Sequence, residues 1–188
     1  MSGLVIGEKN RFDKLKEYFI YFVFYSIFGW LYEVFLEVVV YRWGFSNRGV
    51  LFGPYCPIYG FGALILVFSL TKLKHKDIRV GSLKITPVLV FIGIVVITTI
   101  VELIGSYIME ALTGSWMWDY TRFAMNFQGR VALNPSLRFG AGGMVFLYLL
   151  QPLYERITGR LSKRGLNLVF GLMFVVIFVD VIYTFFIK

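Results

Sequence analysis

Residues 86–111 read TPVLVFIGIVVITTIVELIGSYIMEA, and positions 88–101 within them carry no charge. A bilayer core about 30 Å thick takes about 20 apolar residues at the helical rise, so this segment predicts a membrane-spanning helix. Pro87 suits its first turn, where a missing N–H costs nothing. Working outward in both directions, the pattern recurs. An apolar run at 18–41 is longer than a signal-peptide core, contains Glu33 and Glu37 and lacks a small-residue cleavage site, so it predicts a retained span. A run at 51–70 opens on Gly53-Pro54-Tyr55-Cys56-Pro57 and becomes regular only after Tyr59. Runs at 137–153 and 166–187 follow, the first containing Gly140, Gly142 and Gly143 and stopping at Gln151-Pro152. Five spans result. Between the third and fourth, the semi-polar outer segment 112–135 has no apolar run long enough to cross and predicts a lid or re-entrant loop.

Composition agrees with that pattern. The 188 residues are 58% hydrophobic, 19% aromatic and 16% charged, with mean hydropathy +0.73. Soluble domains run about 45–50% apolar and about 25% charged. The expected class is therefore all-α: one integral membrane domain over 1–188, a polytopic helix bundle, with no room for a separate soluble catalytic domain. A single Cys56 rules out an internal disulfide framework, and the single His75 sits in a charged loop. Zinc sites of several His or Cys and triads with a His base lack their parts. Gly60-Phe61-Gly62 and Gly140-Ala141-Gly142-Gly143 precede no Lys-Ser/Thr, so neither is a phosphate loop. Close helix packing explains them better. No ATP-hydrolysing motif, metal cluster, catalytic residue or cofactor is expected.

The formal charge of +8 is a topology signal. Lys9, Arg11, Lys14 and Lys16 precede the first span; Arg42 and Arg48 follow it; Lys72, Lys74, Lys76, Arg79 and Lys84 fill the second loop. Arg122 and Arg130 occupy the third loop, with Arg138 at the border of the next span; Arg156, Arg160, Lys163 and Arg164 fill the fourth; Lys188 ends the chain. The counts 4, 2, 5, 2, 4 and 1 alternate as the positive-inside rule requires for a cytoplasmic N-terminus and an extracytoplasmic C-terminus. Basic residues spread over short loops beside spans orient the chain or meet anionic lipid, so no nucleic-acid partner is expected.

Acids inside a bilayer are costly and face the bundle interior or a water-filled cavity. Glu33 and Glu37 share a helix face with Ser26, Gly29 and Trp30; Glu102 lines up with Thr98, Thr99, Gly105 and Ser106; Asp180 lines up with Tyr183 and Thr184. From the span midpoints, Glu33 and Asp180 lie about 5 Å, Glu102 about 6 Å and Glu37 about 11 Å beyond the centre, all on the outer side. The outer arginines lie on the same side. The expected site is an outward-facing polar chamber lined by Glu33, Arg48, Tyr59, Glu102, Asp119, Arg130 and Asn134, with Glu37, Trp118, Asn126 and Asp180 as secondary members. Glu33 and Glu102 are the foremost functional candidates because they lie deepest. Buried ion pairs that only fix helix register are the competing account of the acids. Interfacial anchoring is the competing account of Trp116-Met117-Trp118-Asp119-Tyr120.

Taken in order, Gly29-Trp30 with Glu33, Asn47-Arg48-Gly49, Gly53-Pro54-Tyr55-Cys56-Pro57-Ile58-Tyr59-Gly60, Glu102, Trp118-Asp119-Tyr120 and residues 126–130 resemble the ABC-transporter type IV permease family of the CmpB type. The likeness runs over about 26–153, and the Gly-Pro-x-Cys-Pro-Ile-Tyr-Gly run is its specific part. It implies a bacterial inner-membrane permease and carries over no catalytic or substrate residue. The leading expectation is a small transporter component that binds a small or lipid-like solute in the chamber. Its energy would come from a separate ATPase subunit or from protons moving through the acids. A membrane enzyme acting on a lipid or lipid-linked substrate, with Glu33 or Glu102 as base and Arg130 holding a phosphate, is one alternative. A non-catalytic assembly or regulatory subunit is the other. The lipid bilayer is the expected surrounding, and a homo-oligomer is compatible with all three.

Overall fold

The computed structural model describes residues 10–116 and 118–187, so Lys9, Met117 and Lys188 lie outside the described residues. Helices account for the architecture. α1 (Arg11–Phe35) starts ahead of the apolar run because Asn10 and Asp13 form a capping box. The Asp13 N–H donates to Asn10 Oδ1 at 2.8 Å and the Asn10 N–H donates to Asp13 Oδ2 at 3.3 Å, which satisfies two N–H groups that a helix start leaves open. α1 runs on through a wide π-helical turn, Leu36–Val40. α2 (Pro57–Lys74) begins at the second proline of the Gly-Pro-Tyr-Cys-Pro run. α3 (Thr86–Thr113) has Pro87 in its first turn and ends on Gly114, whose φ of 78° places it in the left-handed region that glycine adopts without strain. α4 (Leu133–Val145), the π turn Phe146–Leu150 and α5 (Gln151–Gly159) follow without a break. α6 (Lys163–Ile182), capped by Ser162, closes in a third π turn, Tyr183–Ile187.

Among the described residues, four helical stretches are long and apolar enough to cross a membrane: Arg11–Val40, Pro57–Lys74, Thr86–Thr113 and Lys163–Ile187. The expected fourth span is helical too, but Arg138, Gln151, Pro152 and its three glycines leave it less apolar than the others. It also does not stop at Gln151-Pro152. Pro152 removes one helical N–H, and the preceding π turn, with the Gln151 N–H bonded to the Phe146 carbonyl, takes up the misfit so that the helix reaches Gly159.

The chain forms two compact units: Met1–Phe61 with Tyr154–Lys188, and Gly62–Leu153. In the first, α1 packs along α6, with Phe19 edge-on to Phe170 at 5.2 Å. Tyr154 stacks on Phe24 at 5.2 Å, and Tyr21 shares a hydrogen bond with Thr158 at 2.8 Å. Gly29 lets the Tyr59 ring sit against α1, and Gly60 admits Ser26 and Phe22, so both glycines serve close approach. Of α6 itself only Leu166 and Asp180 are buried, and Leu168, Leu172, Val175, Val176, Phe178 and Val179 are exposed. In the second unit α3 packs along α4: Gly140 meets Phe91 and Val95, and Gly143 meets Ile94. Such small-residue contacts carry helix association where no hydrophobic drive exists between apolar helices in lipid. Two short hairpins complete the unit, β1 (Arg79–Val80) with β2 (Leu83–Lys84), and β3 (Asn126–Phe127) with β4 (Val131–Ala132). Of the segment 112–135, the start still belongs to α3 and the end to α4, and the described residues between them form turns and one hairpin.

Candidate functional site

Each unit holds a polar network that ties a non-helical segment to its helices. In the first unit Glu37, 7% exposed, is the centre of one cluster. Arg48 grips it with both edges of its guanidinium, Nε to Oε2 at 3.0 Å and Nη2 to Oε1 at 2.9 Å, and Ser46 Oγ donates at 2.8 Å. This two-point geometry is the strongest form of a carboxylate pair. A second cluster centres on Asp180, 8% exposed. It accepts the backbone N–H groups of Phe52 at 3.0 Å and Gly53 at 2.6 Å, the Tyr55 hydroxyl, and the Thr184 hydroxyl at 2.8 Å. Tyr59 donates its hydroxyl to Glu33. Trp30 Nε1 donates to Asn47 Oδ1 at 2.8 Å, and Asn47 Nδ2 donates to the Phe52 carbonyl at 2.8 Å. Gly49 is needed where it stands: its φ is +99°, and a Cβ there would meet the Tyr55 carbonyl at 2.8 Å. The Cys56 N–H donates to the Ser26 carbonyl at 2.9 Å, and the thiol is buried.

In the second unit the polarity is reversed, since the charge that matters sits on the loop. Arg130, 6% exposed, lies between the rings of Trp116 at 3.9 Å and Tyr107 at 4.2 Å. It donates to Glu110 Oε2 at 2.5 Å and to Ser106 Oγ at 3.3 Å. A guanidinium stacked between aromatic faces and bonded at its edge stays charged at low desolvation cost. Trp118 Nε1 donates to the Arg130 carbonyl at 2.7 Å. Tyr120 donates to Glu102 Oε1 at 2.8 Å. Asp119 is exposed and folds its own loop: it accepts from the Thr121 N–H at 2.9 Å and hydroxyl at 3.0 Å. These bonds, the backbone one foremost, hold its carboxyl below the ordinary value of 3.8. Asn126 braces the same turn, accepting from the Gly129 N–H at 3.0 Å.

The expected residues are therefore distributed over both units. Glu33, Glu37, Arg48, Tyr59 and Asp180 serve the first, and Glu102, Trp118, Asp119, Asn126, Arg130 and Asn134 the second. The pairs Glu37–Arg48 and Glu33–Tyr59 are direct contacts. Asn134 is set apart from these bonds and lines an open apolar cleft of about 320 Å³ with Phe123, Ala124, Met125, Leu133 and Leu137. Burial in the protein does not follow depth along the span: Glu37, covered by Ser46 and Arg48, is buried more fully than Glu33. Sequence reading gave Ser46 and Glu110 no site role and did not foresee that Asp180 grips Phe52 and Gly53. Only the long separation of 127 residues joins Asp180 to Gly53, and no local pattern marks it. Among the described residues no group of His, Cys, Asp and Glu is placed to hold a metal ion.

Apolar helices of spanning length, exposed aliphatic and phenyl side chains, and few charges within the spans define a polytopic helical membrane protein. A family model described as "Putative ABC-transporter type IV" matches residues 20–185, and the chain belongs to that family. No curated protein and no solved structure matches it.

Proposed function

We propose that this chain is the membrane component of a transporter that takes a small or lipid-like solute at polar groups on its extracytoplasmic side. The observation that carries this reading is the recurrence of one pairing. Glu33, Glu102 and Asp180 each accept a tyrosine hydroxyl, from Tyr59, Tyr120 and Tyr55. A tyrosine donor steadies a carboxylate without adding a positive charge, so the acid keeps the capacity to bind a proton or a cationic or hydroxylated solute. Arg48 and Arg130, paired with Glu37 and Glu110, belong to the same two units as these acids. Family membership supports the transporter class.

In this reading the chain sits in a bacterial inner membrane as a permease, with the N-terminus cytoplasmic and the C-terminus outside. The energy in this reading comes from a separate ATPase subunit or from protons moving through the acids. The test is reconstitution of the full chain into liposomes, with and without proteins that co-purify from the host membrane, followed by uptake of labelled solutes. Uptake that falls at least tenfold in Glu33→Gln and Glu102→Gln, about the loss of one strong charged hydrogen bond, supports the proposal. Full activity of both variants removes these acids from the mechanism.

A further inference from the structure

The cleft in the second unit has a chemistry that none of the networks above uses. Its walls are the chain at Phe123, Ala124 and Met125 on one side and the first turns of α4, Leu133, Asn134 and Leu137, on the other. At about 320 Å³ it lies at the small end of ligand pockets, and Asn134 alone among its lining residues carries a polar side chain. Met125 is 75% exposed and holds a φ of +55°, which is strained for a residue with a side chain. Leu133 fixes it there, donating its N–H to the Met125 carbonyl at 3.3 Å.

Arg138 lies one helical turn beyond Asn134, on nearly the same face of α4. Arg138 adjoins Leu137 of the cleft wall in sequence and is not itself a lining residue. It is exposed, and among the described residues it meets no carboxylate, in contrast to Arg48 and Arg130. A positive charge at the edge of a membrane helix with no protein acid to meet it finds its counter-charge in lipid phosphate. An apolar slot beside an uncompensated cation matches the two ends of an anionic amphiphile.

We propose that this cleft binds an anionic phospholipid, with one hydrocarbon chain between residues 123–125 and α4 and the phosphate held by Arg138 and Asn134. The inference rests on the transporter reading and narrows its solute class to an anionic lipid.

Native mass spectrometry of the full chain in detergent, titrated with dioleoylphosphatidylglycerol or dioleoylphosphatidylcholine, tests it. The expected result is about fivefold tighter retention of phosphatidylglycerol, the factor that one basic residue contributes near an anionic head group. Arg138→Gln abolishes that preference, Arg138→Lys keeps it, and Leu137→Asn weakens retention of both lipids. Both polar variants change an exposed position, so thermal unfolding close to wild type shows that they fold. Equal retention of the two lipids, or an undiminished preference in Arg138→Gln, overturns the proposal. So does displacement of the lipid by millimolar inorganic phosphate, which would make the site one for free anion. Failure of the transporter reading looks different: no solute or lipid crosses liposomes, while the Arg138-dependent preference for phosphatidylglycerol remains.

Discussion

The two units fasten their loops with opposite charges. In the first, the acids belong to helices: Glu37 and Asp180 reach out and hold Arg48, Phe52, Gly53 and Tyr55 of the segment between α1 and α2. In the second, the cation belongs to the loop: Arg130 reaches back to Ser106 and Glu110 of α3 between two aromatic rings. The difference is one of desolvation. A buried carboxylate is satisfied by converging N–H and O–H donors, which a loop's own backbone supplies in quantity. The buried guanidinium of Arg130 is met instead by side chains, Ser106 and Glu110, and by ring faces that cover it as it sheds its hydration. The acid-held loop therefore depends on two carboxylates, whereas the arginine-held loop spreads its hold over packing and charge.

That contrast orders the effects of mutation. Asp180→Ala strips two backbone N–H groups and two hydroxyls of their acceptor and should destabilise the first unit by about 4 kcal/mol. Thermal unfolding in detergent, with protease cleavage appearing in 41–56, measures it. Arg130→Met keeps the volume between the rings and leaves Glu110, whose side chain is 41% exposed, able to recover water, so about 2–3 kcal/mol is expected. A larger loss for Arg130→Met than for Asp180→Ala would break the comparison.

Two neighbouring glycines give a sharper contrast inside the second unit. Gly143→Ala drives a Cβ into Ile94 and should cost about 2 kcal/mol, whereas Gly142→Ala meets nothing within 4 Å and should gain about 0.5–1 kcal/mol from helix propensity. The same unfolding measurement reads both. The smallest effect belongs to Asp119, which is exposed. Its folded carboxyl titrates below 3.8, so its contribution to the loop is present above that pH and is lost only as pH falls through the lower, folded value. A carboxyl-resolved NMR titration of Asp119 should show this low midpoint, and Thr121→Ala should return it toward 3.8.

The helices were legible in the sequence because each carries its own apolar run; even the weak segment at 137–153 is helical. Their ends were less so. The start of α1 at Arg11 is set by a capping box in charged sequence, which an apolar-run reading passes over. The continuation through Pro152 depends on a π turn, and a single sequence carries no signature for one. Within the candidate site, Glu37 with Arg48 was foreseeable, since an intramembrane acid and a loop arginine 11 residues away need each other. Tyr59 stood among the expected lining residues beside Glu33, but Tyr120 and Tyr55 did not, because an aromatic at a membrane boundary has anchoring as its default reading. Nor did sequence show that Asp119 and Asn126 fold their own turn, since Asp and Asn serve turns and ligands equally well.

The nesting of the second unit within the first sets an order of completion on the ribosome. Everything from Gly62 to Leu153 emerges before the last helix does, so the second unit can close on itself while the first still lacks α6. Throughout that interval the N–H groups of Phe52 and Gly53 wait for an acceptor that arrives only with Asp180. The carboxylate near the end of the chain thus acts as a late fastener, and a nascent chain stalled before it carries an unsecured Gly-Pro-Tyr-Cys-Pro segment that membrane quality-control proteases can recognise.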